Sequence, residues 1–168
     1  MPKIIKNLEN RLIEEARKQI EKNGYSGLTM RSVAEACGVG VGTVYNYFDS
    51  KDALLATYML EDWKRCISAI NAVSTYSDTP APVLRCMYDQ LVNYAAQHQG
   101  IFKDKAAASA FSATFTRYHL MLRDQLAAPL QKFCHDAFHA EFIAEALLSW
   151  SMAGKDFDSV YTIIHKLF

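Results

Sequence analysis

Three observations predict an all-α fold for this chain. Apolar residues recur at helical spacing along almost its whole length, no stretch alternates with the period of a strand, and glycine and proline are scarce at 7 and 4 of 168 residues. Hydrophobic residues make up 51% and charged ones 21%, which excludes disorder. A chain of this length buries roughly 70% of the surface its unfolded form exposes, so it folds without staples. About eight to ten helices are expected.

The first helix carries Leu8, Leu12, Ala16 and Ile20 at intervals of four and stops at the pair Asn23-Gly24. Thr29 stands where an N-cap belongs, ahead of Met30, Val33, Ala34 and Cys37, whose i, i+3, i+4, i+7 spacing makes one buried stripe. Gly38 ends this short second helix. Only Val39 and Gly40 separate it from the next stripe, Val41, Val44, Tyr45 and Phe48. Two short helices joined through a glycine-containing turn form a helix-turn-helix, although the spacing alone also fits an ordinary αα-hairpin.

Ser50 caps a fourth helix of about 20 residues, whose inner face holds Leu55, Tyr58, Met59, Trp63, Cys66, Ile67 and Ile70. Thr79-Pro80 restarts the chain as N-cap and N1 of a fifth, with Leu84, Met87, Tyr88, Leu91, Tyr94, Ala95 and His98, closed by Gly100. Residues 101–139 stay helical without a clear division. The Ala- and Ser-rich stretch at 106–114 suits close packing, and Pro129 marks a kink or boundary. A helix from Phe142 to Ala153 stops at Gly154. A last stripe, Val160, Ile163, Ile164 and Leu167, follows Asp156 or Asp158 as its cap.

Charge and cysteine usage narrow the class. Net charge is zero and the pI about 6.9, so the chain does not coat nucleic acid as a histone does, though a local basic stripe is still compatible. No apolar run approaches the roughly 18 residues that span a bilayer, and the charged amphipathic N-terminus lacks a signal-peptide core. Cys37, Cys66, Cys86 and Cys134 include no CxxC pair and read as reduced thiols of a cytoplasmic protein.

Residues 24–55, GYSGLTMRSVAEACGVGVGTVYNYFDSKDALL, resemble the helix-turn-helix of the TetR/AcrR transcriptional regulators. The shared pattern is Gly24, Thr29, Val33-Ala34, Gly38-Val39, Gly42-Thr43, Tyr45, Tyr47-Phe48, Ser50-Lys51 and Leu54-Leu55. The resemblance implies an N-terminal DNA-binding domain over residues 1–50 and an effector-binding and dimerisation domain over 51–168. Val44 and Phe48 would anchor the third helix, with Tyr45 partly buried beside them. Gly42, Thr43, Asn46 and Tyr47 would then face the major groove. Asn46 is the best candidate reader of adenine, and Val41 and the Thr43 methyl suit a thymine methyl, while Gly42 leaves room for close approach. Thr29, Arg31, the Tyr47 hydroxyl and Lys51 are candidate phosphate contacts, and Gly40 belongs to the same surface. Lys3, Lys6 and Arg11 make either a basic arm on this side or a solvated helix face.

Two positions depart from the family pattern: Gly40 where Ser is common, and Val41 where a cation is common. Residues 1–55 hold eight basic residues (Lys3, Lys6, Arg11, Arg17, Lys18, Lys22, Arg31, Lys51) against seven acidic ones (Glu9, Glu14, Glu15, Glu21, Glu35, Asp49, Asp52), a net +1. Modest non-specific affinity is expected, with specific binding resting on base contacts and dimerisation.

For the second half the resemblance implies a homodimer on a palindromic double-stranded operator and release by a small apolar effector, with repression the expected sign. Phe142, Leu147, Trp150, Tyr161, Ile164 and Phe168 exceed what one inward face needs and are the candidate dimer interface. Met59, Trp63, Met87, Tyr88, Tyr94, Phe115 and Tyr118 offer apolar walls for an effector, with His98 and His119 as polar handles, although core packing alone also accounts for them. His135 and His139 share a helical face, but a third ligand is missing, so neither metal nor cofactor is expected. No phosphate loop, nucleophile elbow or carboxylate pair appears, so no enzyme is expected. The rival reading is a helical protein-partner module whose helix-turn-helix does not read DNA.

Overall fold

The computed structural model describes residues 7–168, the side chains of residues 108–117 excepted. Every regular element among the described residues is helical, in the order α1 (Leu8–Gly27), α2 (Met30–Cys37), α3 (Val41–Tyr45), α4 (Lys51–Tyr76), α5 (Pro80–Gln97), α6 (Gln99–Phe102), α7 (Lys105–Ala127), α8 (Ala137–Met152) and α9 (Phe157–Ile164). Short 3-10 segments, Ala128–Phe133 and His165–Leu167, follow α7 and α9. None of the described helices is long and apolar enough to cross a membrane.

The chain divides into two compact units: residues 1–61 with 98–112, and residues 62–97 with 113–168. Helices α4 and α7 each contribute to both. The first unit is built on the stripe Leu8, Leu12, Ala16 and Ile20 of α1, all buried, together with Leu28, Val33, Ala34, Val44, Leu54, Leu55 and Tyr58. Helix α1 does stop being helical at Gly24 (φ 70°, ψ −179°), but resumes for one more turn, which places Tyr25 inside. Left-handed backbone of this kind is open to glycine at little cost.

Within the second unit, α5 packs against α8, α9 and the 3-10 segment that contains Pro129. Pro129 is the second residue of that segment, two residues after α7 ends at Ala127, so the boundary it predicts is present. Trp63 and Tyr94 meet edge to face with ring centres 5.5 Å apart. The Trp63 indole N–H donates to Gln125 Oε1 at 2.6 Å, satisfying the polar atom of a nearly buried ring. Helix α8 starts five residues earlier than the sequence predicts, because Asp136 caps it by accepting from the His139 N–H at 2.9 Å. Asp156, the first of the two candidates, caps α9 through the Ser159 N–H at 2.8 Å.

Candidate nucleic-acid interface

The α2–turn–α3 segment is specified by local chemistry. Thr29 Oγ1 accepts from the Ser32 N–H at 3.0 Å, and Ser32 Oγ accepts from the Thr29 N–H at 3.2 Å. This reciprocal box satisfies N–H groups that the first turn of a helix leaves open. Gln19 of α1 supports it, with its Oε1 2.6 Å from Ser32 Oγ. Sequence reading identifies Thr29 but misses Ser32 and Gln19, since the usual box carries Glu or Gln at the third helical position and here the residue is Ser.

Helix α2 ends in a Schellman turn. Gly38 is left-handed (φ 69°, ψ 34°), its N–H donates to Glu35 O at 3.1 Å, and the Val39 N–H donates to Ala34 O at 3.0 Å. Two residues further on, Gly40 is the N-cap of α3 and has no side chain to offer.

Helix α3 is shorter than predicted. It ends at Tyr45; Asn46 is its C-cap, and Tyr47 lies in the following turn. The expected stripe is therefore corrected. Val44 and Phe48 are buried (0% and 4% exposed), whereas Val41 and Tyr45 are 37% and 50% exposed. So short a helix has only one inward row, and Phe48 follows Val44 into the core after the chain has left the helix. Gly40, Gly42, Asn46 and Tyr47 join Val41 and Tyr45 on the exposed side, with Thr43 half-buried among them. A Cβ placed on Gly40 or Gly42 would meet nothing within 4 Å, so both open onto empty space.

The candidate phosphate contacts have mixed placements. Arg31 and Thr29 are exposed, but the Thr29 hydroxyl is engaged in its cap. Lys51 is half-buried; its ammonium donates to the Tyr25 carbonyl at 3.1 Å and lies 3.7 Å from the centre of the Tyr25 ring. It ties the start of α4 to the end of α1, a contact that sequence spacing does not reveal. The Tyr25 hydroxyl in turn donates to Asp52 at 2.8 Å. Burial first, and the bond to Asp52 second, push the Tyr25 phenol up to about 12. Lys3 and Lys6 lie outside the described residues. Arg11 turns toward α2, with Nη2 donating to the Cys37 carbonyl at 3.0 Å.

The expected effector wall is divided between the units. Met59 and His98 belong to the first, where His98 is buried with its ring centre 4.8 Å from that of Tyr58. Trp63, Met87 and Tyr94 are buried in the second. Tyr88 is half-buried, its hydroxyl donating to Lys155 O at 2.6 Å, and Tyr118 is exposed. His119 meets Glu145 at 2.8 Å, and the Phe115 side chain lies outside the described residues.

The candidate dimer face needs a correction. Leu147 and Ile164 are buried in their own unit (0% and 2% exposed), so they pack inward. Phe142 and Trp150 are about half exposed, and Tyr161 and Phe168 are half-buried. Phe138, which sequence reading passes over, is 70% exposed, and Ile163, expected in the last apolar stripe with Val160 and Ile164, is 68% exposed. The Phe138 and Phe142 rings sit 6.4 Å apart on one side of α8. His139, read with His135 as a weak metal pair, has Nδ1 2.9 Å from Asp136 Oδ1. Burial pushes all four cysteine thiols up, which lowers their thiolate content at neutral pH.

A capped helix, a Schellman turn and a short helix with an outward row define a helix-turn-helix. Residues 12–58 match the family model described as "Bacterial regulatory proteins, tetR family", a match that takes in α2, the turn and α3. The regulator UidR of Escherichia coli is 31% identical over 58 residues, 34% of this chain and 30% of that protein. The repressor KstR of Mycolicibacterium smegmatis is 34% identical over 83 residues, 49% of this chain and 40% of that protein. The alignments thus span less than half of either relative.

Solved structures share the fold over almost the whole chain. SCO7518 of Streptomyces coelicolor superposes with a TM-score of 0.74 at 11% identity, covering 96% of this chain and 98% of that one. Thermus thermophilus FadR, a TetR-family repressor in complex with lauroyl-CoA, gives 0.64 at 21% identity, covering 95% and 92%.

Proposed function

We propose that this chain is a one-component transcriptional repressor that binds a palindromic DNA operator as a homodimer. The observation that carries the reading is the outward row of α3 and its following turn, Val41, Gly42, Tyr45, Asn46 and Tyr47, held out by buried Val44 and Phe48. A row of apolar, amide and hydroxyl groups with glycines between them suits base edges and sugar–phosphate alike. Asn46 is the adenine reader, Val41 and Thr43 take thymine methyls, and Arg31 and the Tyr47 hydroxyl hold phosphates.

Pairing through α8 and α9 lets two readers engage half-sites one helical turn, or a multiple of it, apart. Phe138, Phe142, Trp150 and Ile163 supply an apolar surface of the kind that obligate dimers cover. An apolar effector acts on the second unit, whose core holds the buried side chains of Trp63, Met87 and Tyr94. The lauroyl-CoA bound by Thermus FadR makes an acyl chain a sensible first probe. By linkage, such an effector weakens DNA binding only as far as it prefers the conformation that does not bind DNA.

The test is selection of bound duplexes from a random DNA library at near-physiological salt. An enriched palindrome supports dimeric, sequence-specific binding. No enrichment, even at low salt and with cell extract as effector source, overturns it.

A further inference from the structure

Arg11 of α1 reaches across to the last residue of α2, beside the turn of the helix-turn-helix. It precedes the fully buried Leu12 but is itself exposed, and its guanidinium reaches the end of α2. Nη2–H donates to the Cys37 carbonyl at 3.0 Å, and the Cys37 thiol donates back to the Arg11 carbonyl at 3.6 Å. The contact joins residues 26 apart in sequence in both directions.

The Cys37 carbonyl is open to such a partner. A helix leaves its last four carbonyls without intrahelical donors. In α2, the Schellman turn supplies Ala34 through Val39 N–H and Glu35 through Gly38 N–H. It cannot supply Cys37, because the chain departs through left-handed Gly38. Arg11 fills that place with a charged donor at the negative end of the helix dipole, where a cation is favoured.

We propose that Arg11 is a positioning residue of the DNA reader: it fixes the α2–α3 turn, and through it the pose of α3, without touching DNA itself. The proposal rests on the DNA-binding reading above. It assigns Arg11 to neither of the roles that sequence spacing offers, a basic arm or a solvated face. The turn is short: Gly38, Val39 and Gly40 alone separate the two helices. A change in the direction of the last α2 carbonyl is therefore passed to α3 with little slack between.

The test uses the full chain and two variants. Arg11→Met keeps the apolar stem and loses the donor; Arg11→Lys keeps a charged donor on a stem of similar reach. Against the selected operator, Arg11→Met is expected to lose about tenfold in affinity while Arg11→Lys stays within about threefold of the parent. The slope of log affinity against log salt should be the same for all three, since every phosphate keeps its partner. In the free protein, amide exchange at Gly38 and Val39 should accelerate in Arg11→Met and recover in Arg11→Lys, with Leu54 and Leu55 of α4 keeping their protection.

A salt slope shallower by about one in Arg11→Met would make Arg11 a direct phosphate ligand and overturn the proposal. Unchanged operator affinity in Arg11→Met overturns it as well, and so does unchanged exchange at Val39. If the parent protein itself selects no DNA, the DNA-binding reading has failed first; the exchange measurement then judges the tie between α1 and α2 separately.

Discussion

Serine introduced at two glycines two residues apart should change stability in opposite directions. Gly40 is the N-cap of α3, with φ −71° and ψ 146°, the extended backbone that N-caps adopt, and with no side chain to accept from the helix. Gly38 is left-handed at φ 69°. A Cβ at either position meets nothing within 4 Å, so crowding does not distinguish them. At Gly40, a serine hydroxyl can accept from the N–H of Gly42 or Thr43, as Thr29 does for α2 at 3.0 Å. Replacing a glycine cap by serine adds a few tenths of a kcal/mol, and the loss of unfolded-state freedom adds about 0.4–1, for a total near 1 kcal/mol. In a chain of this size that raises Tm by about 2–4 °C. Gly38→Ser instead forces an L side chain into the left-handed region, at a cost of about 1–2 kcal/mol, and Tm falls by a few degrees. Calorimetry of the two variants beside the parent decides the matter. A Gly40→Ser that melts lower, or a Gly38→Ser that melts with the parent, would refute the assignment of cap and turn. Because Gly40 also replaces a hydroxyl common in the family, Gly40→Ser should strengthen operator binding.

Stability should fall as pH rises from about 10 to about 12. The folded chain holds the Tyr25 proton up to about 12, whereas a free phenol releases it near 10, so the unfolded chain gains first as pH rises. Tyr25→Phe should flatten this part of a urea-midpoint curve, and an unchanged slope would remove Tyr25 as its cause. Asn46→Ala should relax discrimination at one base pair per half-site by about 1–3 kcal/mol, read by competition with singly substituted operators. Tyr47→Phe should weaken every sequence alike, so a change confined to one operator position would contradict its phosphate role. Phe142→Arg places a charge on the exposed side of α8 and should shift the chain from dimer to monomer in sedimentation, with little effect on melting of the monomer. A dimer as stable as the parent's would move the interface elsewhere.

What the sequence made legible was local. The cap at Thr29, the stop at Gly38, the anchors Val44 and Phe48 and the boundary at Pro129 each depend on a few neighbouring residues, and each is found where its chemistry predicts. The misses are non-local or lack a period. The ties from Arg11 to Cys37 and from Lys51 to Tyr25 each span 26 residues, and no spacing rule connects such pairs. Residues 98–112 join the first unit although they lie far from it in sequence. Helix α8 carries apolar residues inside and outside: Ala140, Ile143, Ala144, Leu147 and Leu148 are buried while Phe138, Phe142 and Trp150 are exposed. The polar row of the helix, Glu141, Glu145 and Ser149, is narrow and flanked by apolar residues on both sides, so sequence does not separate inward from outward residues there, and Leu147 is expected outside for that reason.

A reader poor in cations and a helix with exposed aromatic side chains belong to one physical argument. Residues 1–55 carry a net charge of +1, Lys51 is turned to Tyr25, and Arg11 to Cys37. A single reader therefore releases few counterions from DNA and holds a half-site weakly. Affinity then has to come from base contacts and from linking two readers, since the second site binds at an effective concentration set by the link and gains about 10²–10⁴ over one. On the proposed function, pairing through the outer side of α8 would turn such a weak reader into a useful one. It would also make regulation economical, because an effector that misaligned the pair by a small movement would forfeit the whole of that gain while leaving each reader intact.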